Sequence, residues 1–143
     1  MREREVLVTV VDGQGGGMGR SIVECLKERL PGAEIIAVGT NATATAQMVR
    51  GGGVRGATGE NAVVFNCSQA DVVIGPVGIY FANSMLGEVT PRMAEALAAC
   101  RAEKFAIPVS RCHIHITGIA EQSLSAHIEE AVSQILRLQN GEN

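Results

Sequence analysis

The residues whose types and spacing suit them to chemistry begin at Asp12-Gly13-Gln14-Gly15-Gly16-Gly17-Met18-Gly19-Arg20. An apolar run, Val6-Leu7-Val8-Thr9-Val10-Val11, precedes them, and helical spacing follows from near Ser21. Strand, glycine-rich turn and helix in that order open a dinucleotide-binding βαβ unit. The chemistry expected of such a turn is anion binding: backbone N–H groups from Gly13 to Gly19, with the helix N-terminus behind them, hold a phosphate. The alternative is a tight turn whose glycines serve only close helix–strand packing. Asp12 favours that alternative, because a carboxylate directly before the loop is placed to cap the loop's own N–H groups.

The glycines do not form a clean G-x-G-x-x-G. Two other spacings fit: Gly13, Gly17 and Gly19 make G-x-x-x-G-x-G, and Gly13, Gly16 and Gly19 make G-x-x-G-x-x-G. Both resemble the cofactor loops of short-chain dehydrogenases and their extended relatives. The acidic residue that bonds the adenosine ribose of NAD at the end of strand two is missing; Gly39-Thr40-Asn41 stand there instead. Thr40 and Asn41 are expected either to meet a ribose, or a 2′-phosphate with help from Arg50 or Arg55, or to serve as turn and N-cap residues. NAD or NADP is therefore the expected cofactor class, with NAD weakened by the missing acid. The Tyr-x-x-x-Lys pair of those enzymes is absent, since Ser84 stands four residues after Tyr80, the only tyrosine. Enzymatic activity stays open.

Three further groups carry two readings each. Glu88 reads as a base or ribose ligand, or as a residue that merely starts the next helix beside Thr90; the second is preferred. Cys112-His113-Ile114-His115 invites a metal, but on a strand the histidines share one face and the cysteine takes the other. A polar edge strand is the preferred account, and no metal is expected. Cys67 reads as a small buried thiol rather than a nucleophile, having no histidine beside it.

The elements that must position these groups alternate. Strands are expected at 5–12, 34–38, 55–58, 71–75, 105–109 and 113–117. Helices are expected at about 20–30, 42–50, 60–69, from Thr90-Pro91 onward, and at 123–138. Residues 60–69 have strand propensity at Ala62-Val63-Val64-Phe65, yet the clear strand straight afterwards favours a helix. The fold class that follows is α/β: a three-layer, Rossmann-like domain with a mostly parallel sheet of five to six strands, spanning 1–143. Ligands of such sheets sit outside the carboxyl ends of the strands. That crevice is expected from 12–20, 39–41, 57–61 and 75–78, with 83–88 as a further candidate.

Composition narrows the partners. Apolar residues make up 46% and charged ones 19%, with a net charge of -3, three Phe, one Tyr and no Trp. That leaves neither a basic stripe nor a base-stacking platform, so no nucleic acid is expected. No apolar run approaches the roughly 18 residues of a membrane span, and the N-terminus lacks a signal peptide's pattern. A cytoplasmic protein without a membrane partner is expected, its four dispersed cysteines reduced. The apolar stretch 79–86 in so small a chain suggests a homo-oligomer.

With these motifs assembled, the chain resembles a family of small bacterial proteins of unknown function. The resemblance rests on Asp-Gly-Gln-Gly-Gly-Gly-x-Gly at 12–19, Ala-Val-Gly-Thr-Asn at 37–41 and Gly-Ala-Thr-Gly-Glu-Asn at 56–61. Gly-Pro-x-Gly-Ile at 75–79 and Asn-Ser-Met-Leu-Gly-Glu-x-Thr-Pro at 83–91 complete it. It supplies no activity, and it implies that the recurrent residues ring one crevice. The expected ligand is a nucleotide, and its expected contacts are Gly13, Gln14, Gly15, Gly16, Gly17, Met18 and Gly19 for phosphate. Thr40 and Asn41 are assigned to the ribose, with Thr58, Asn61, Gly75 and Pro76 lining the base or second-nucleotide side. A regulatory or assembly protein that keeps the fold without a cofactor is the alternative.

Overall fold

The computed structural model describes residues 5–109 and 113–142. Five strands, β1 (Leu7–Asp12), β2 (Glu34–Gly39), β3 (Arg55–Thr58), β4 (Val72–Pro76) and β5 (Glu103–Ile107), pair in parallel in the order β3-β2-β1-β4-β5. The helices are α1 (Gly17–Arg29), α2 (Ala42–Met48), α3 (Glu60–Gln69), α4 (Pro91–Ala99) and α5 (Leu124–Gln139). A short 3₁₀ turn, Val77–Tyr80, follows β4. The strand order reverses between β1 and β4, the place where open sheets of this kind form a crevice.

Alternation along the strands makes two separate cores. Val8 and Val10 of β1, Ala37 of β2 and Ile74 of β4 pack with Ile22 and Leu26 of α1, Met48 of α2, and Ile128, Val132 and Ile135 of α5. On the other face Val11, Val38 and Val73 meet Val63 and Cys67 of α3 and Met93 and Leu97 of α4. A sheet covered on both faces needs apolar residues in both registers, which is why these strands read as continuous rather than alternating runs. The helices begin on local signals. Asn41 accepts a hydrogen bond from the Ala44 amide, Thr90 from Met93 with Pro91 at the first helical position, and Ser123 from Ala126. Residues 60–69 are helical, as the alternation of elements requires.

The sixth strand expected at 113–117 does not form. Residues 114–116 have no strand pairing, and His113 adopts a left-handed φ of 58° that a ladder cannot hold. Pro108 has no N–H to extend β5, and the Thr117-Gly118 turn leaves the Ile114/Ile116 alternation too little length. Cys112 of the Cys-His-Ile-His motif lies outside the described residues.

Thr9 of β1 is fully buried, and its hydroxyl has no hydrogen-bond partner among the described residues. A buried unpaired hydroxyl costs more than the methyl that would replace it. Thr9→Val is expected to stabilise the fold by about 1 kcal/mol, read as a higher urea midpoint with an unchanged m-value.

Candidate functional site

Asp12 ends β1 at the point where the strand order reverses, and the glycine run folds around its side chain. The residue is 4% exposed. It accepts hydrogen bonds from the Gly13 amide at 2.8 Å and the Gly19 amide at 2.6 Å. Gly19 is the third residue of α1, so Asp12 does for this helix what an N-cap side chain does elsewhere, from a position four residues before the Gly16 cap. Burial raises the Asp12 carboxyl above the ordinary aspartate range, against the two amides that lower it; the charge of Glu88 adds to the rise.

The glycines divide into two sets. A Cβ on Gly13 would lie 2.6 Å from Met85 Sδ and from Thr40 Oγ1. On Gly16 it would lie 2.7 Å from the Ala44 backbone, and on Gly19 2.5 Å from Met48 Sδ. Gly16 also holds a left-handed φ of 74°. These are the three residues of the G-x-x-G-x-x-G spacing, and all three are packed. A Cβ on Gly15 or Gly17 would meet nothing within 4 Å. The amides of Gly15, Gly17 and Met18 have no backbone partner among the described residues, whereas Gly16 bonds to the Gly13 carbonyl and Arg20 to the Gly16 carbonyl.

A cavity of about 990 Å³ opens against this loop, lined by Asp12–Met18, Pro76, Gly78, Phe81–Leu86, Val109, His113 and Ile114. Among the described residues its lining holds no lysine or arginine. Residues 81–88 form a tight flap over it, with Asn83, Met85, Leu86 and Gly87 all at positive φ. Such backbone is costly for the three non-glycine residues and persists only where the surroundings fix it. Here the flap is knitted by Asn83 N to Val89 O at 2.6 Å and Gly87 N to Asn83 O at 3.2 Å. Leu86 is 98% exposed.

The flap is latched by Glu88. Its Oε1 accepts from the Gln14 amide at 2.7 Å, the Thr40 hydroxyl at 2.7 Å and the Asn41 amide group at 2.9 Å. Thr90 caps α4 without it. The expectation that Glu88 merely starts the next helix is therefore replaced by a tie from the flap, across the end of β1, to the end of β2. Forty-eight residues separate Glu88 from Thr40, so no local pattern signals the tie. The other expected contacts have these places. Asn41 also caps α2 and donates to the Gln14 carbonyl. Thr58 Oγ1 lies 2.7 Å from Thr45 Oγ1. Asn61 is exposed in the first turn of α3. Gly75 packs against the Val11 carbonyl, and Pro76 alone of that pair reaches the cavity. Tyr80 donates to the Phe105 carbonyl at 3.1 Å, and burial pushes its phenol well above the usual range, which suits a structural hydroxyl better than a proton donor.

The family profile described as "Domain of unknown function (DUF3842)" matches residues 7–140. The chain belongs to the DUF3842 family. No curated protein matches it. In this DUF3842 domain no group of three or more His, Cys, Asp or Glu suited to a metal occurs among the described residues. No described helix is long and apolar enough to cross a membrane.

Glu88 gives the site a pH signature. Burial acts to raise its carboxyl, but the hydrogen bonds from Gln14, Thr40 and Asn41 outweigh it and hold the group below the ordinary glutamate range. The stability it supplies is complete above the unfolded value of about 4.3 and is lost as pH falls through the lower folded value. Glu88→Ala is expected to cost about 1–2 kcal/mol at pH 7, less than a buried acceptor because the group is partly exposed. Urea midpoints from pH 3 to pH 7 should show the wild type losing this increment at the acid end and the variant lacking that slope.

Proposed function

We propose that this domain binds a phosphorylated ligand of nucleotide type in the cavity at the β1–β4 reversal. The observation that carries the reading is the pairing of an open cavity with three loop amides, Gly15, Gly17 and Met18, that have no partner among the described residues, at the N-terminus of a 13-residue helix. Among the described lining residues, which include no Lys or Arg, backbone N–H groups and the helix dipole are what attract an anion. Phe81, Met85, Val109 and Ile114 supply the apolar wall that a base or nicotinamide needs. NAD and NADP are the first ligands to assay, since each carries a mononucleotide half of suitable chemistry.

The second reading, an assembly or regulatory protein without a cofactor, is favoured by a specific observation. Asp12 and Glu88 already take the amides of Gly13, Gly19 and Gln14, and both bring negative charge to the loop. In that case the exposed Phe81 and Leu86 offer a contact for a second copy.

A thermal-shift screen against mononucleotides, NAD, NADP, FAD and coenzyme A separates the two. A ligand at a hundred times its Kd stabilises by about 2.7 kcal/mol. The control is Gly17→Leu, whose side chain enters open space beside the cavity. We expect it to fold normally and to abolish the shift. Gly16→Val is unsuitable, because it collides with α2. A folded wild type that shifts with no phosphorylated ligand would favour the assembly reading.

A further inference from the structure

We infer that Glu88 is a specificity residue that restricts the site to the mononucleotide class, by occupying the seat that the second half of a dinucleotide would need. The inference rests on the phosphate-binding reading above and narrows it.

A dinucleotide on a sheet of this order lies across the reversal, with its phosphates on the loop after β1 and one nucleoside at the end of β2. In this chain the cavity runs from the loop toward β4 and β5 only. Neither the end of β2 (Gly39, Thr40, Asn41) nor the end of β3 contributes to its lining. The reason is the flap. It starts on the β4 side, passes over Gly13 so closely that a Cβ there would lie 2.6 Å from Met85 Sδ and 2.8 Å from Glu88 Oε1, and ends on Thr40 and Asn41. The two side chains at the end of β2 able to bond a ribose are thus spent on Glu88 Oε1. The carboxylate that other dinucleotide sites place on β2 arrives here from the far side of the loop, as a bar rather than as a ligand. Its charge also repels a 2′-phosphate, so NADP is disfavoured further.

The distinction is a difference of affinities, so it is tested as one. Nicotinamide mononucleotide, AMP, NAD and NADP are titrated calorimetrically into the full chain, wild type and Glu88→Ala. In the wild type we expect NAD to bind no more than about threefold tighter than the better of its two mononucleotide halves. In Glu88→Ala, freeing Thr40 and Asn41 should raise NAD affinity about tenfold while mononucleotide affinity stays within about threefold. Glu88→Gln, whose Oε1 can still accept from Thr40 and Asn41 but carries no charge, should move NAD in the same direction by less, and it answers the objection that Glu88→Ala has lost its fold. NAD binding tenfold or more tighter than either half in the wild type would overturn the inference and leave the phosphate site standing. So would equal changes for NAD and mononucleotides in both variants. Failure of all four ligands to bind the folded wild type would instead remove the phosphate site, and the inference with it.

Discussion

Gly75→Ala should destroy the fold, although it adds a single methyl. Gly75 sits near the end of β4, in the pair of strands at the centre of the sheet, and an added Cβ would lie 2.2 Å from the Val11 carbonyl oxygen and 2.8 Å from Ile79 Cδ1. The Ile79 side chain can turn; the carbonyl cannot, because β1 is held in register on both sides, Val10 against Ala37 of β2 and against Ile74 of β4. Relief requires β1 and β4 to separate, and the faces they present are filled by both cores. Overpacking a core by one methylene costs about 1–3 kcal/mol when side chains absorb it. With backbone as the obstacle the cost should exceed roughly 4 kcal/mol, against a total stability of about 5–15 kcal/mol for a domain. We expect the variant to be insoluble, or to melt more than about 10 °C below wild type. Gly15→Ala, in open space, is the matched control and should melt within about 2 °C of wild type. A Gly75→Ala protein melting as the control does would show that the strands do not approach this closely.

The fold was legible where local chemistry and global order agree. The run from Val6 to Val11, the Pro31-Gly32 stop, the Asn41 and Thr90 caps and the strand at 72–76 each carry their own signal, so the elements stand close to where periodicity puts them. Residues 60–69 show the same logic under conflict: Ala62-Val63-Val64-Phe65 favours a strand locally, but a parallel sheet needs a crossover before Val72, and the crossover wins. At 113–117 the reverse happened. The Ile114/Ile116 alternation mimics a strand, while His113 is left-handed and Pro108 lacks the N–H that would continue β5.

The site was legible in part. Asp12 stands beside the loop it caps, so adjacency alone suggested the two amide bonds that the structure contains. Of the two glycine spacings, the one through Gly13, Gly16 and Gly19 marks the positions where a Cβ has no room and so records packing, whereas the one through Gly13, Gly17 and Gly19 includes a position that is open. Gly15, outside both spacings, also faces open space. What no spacing could give is the reach of Glu88 across the sheet, because it depends on left-handed backbone at Asn83, Met85, Leu86 and Gly87, which ordinary propensities disfavour at the three non-glycine positions. Such a segment is informative because it is expensive: tertiary contacts must hold it, and the contacts that do so are those that shape the cavity.

Asp12→Ala is the second change expected to be severe. It leaves the Gly13 and Gly19 amides without their acceptor, in a place where 4% exposure leaves little access for water. Each buried orphaned donor costs about 1–3 kcal/mol, giving roughly 2–6 kcal/mol for the two. Release of the carboxylate's own burial penalty offsets part of this, so the lower half of that range is the better expectation. Near 140 residues it corresponds to a melting point lower by about 6–12 °C. Asp12→Asn should recover little, because an amide offers one acceptor and turns its NH₂ toward the second donor. The pH dependence distinguishes this account from general damage. Since burial raises the folded Asp12 carboxyl above the unfolded value of about 3.9, the folded state binds more protons in that window. The stability Asp12 supplies is then greatest below the unfolded value and declines as pH rises through the folded one. The gap between wild type and Asp12→Ala should therefore narrow from pH 4 upward and level off above the folded value, opposite in sign to the acid loss expected from Glu88. A gap that widens with pH would mean that the amides of Gly13 and Gly19 outweigh burial and hold the Asp12 carboxyl below its ordinary range.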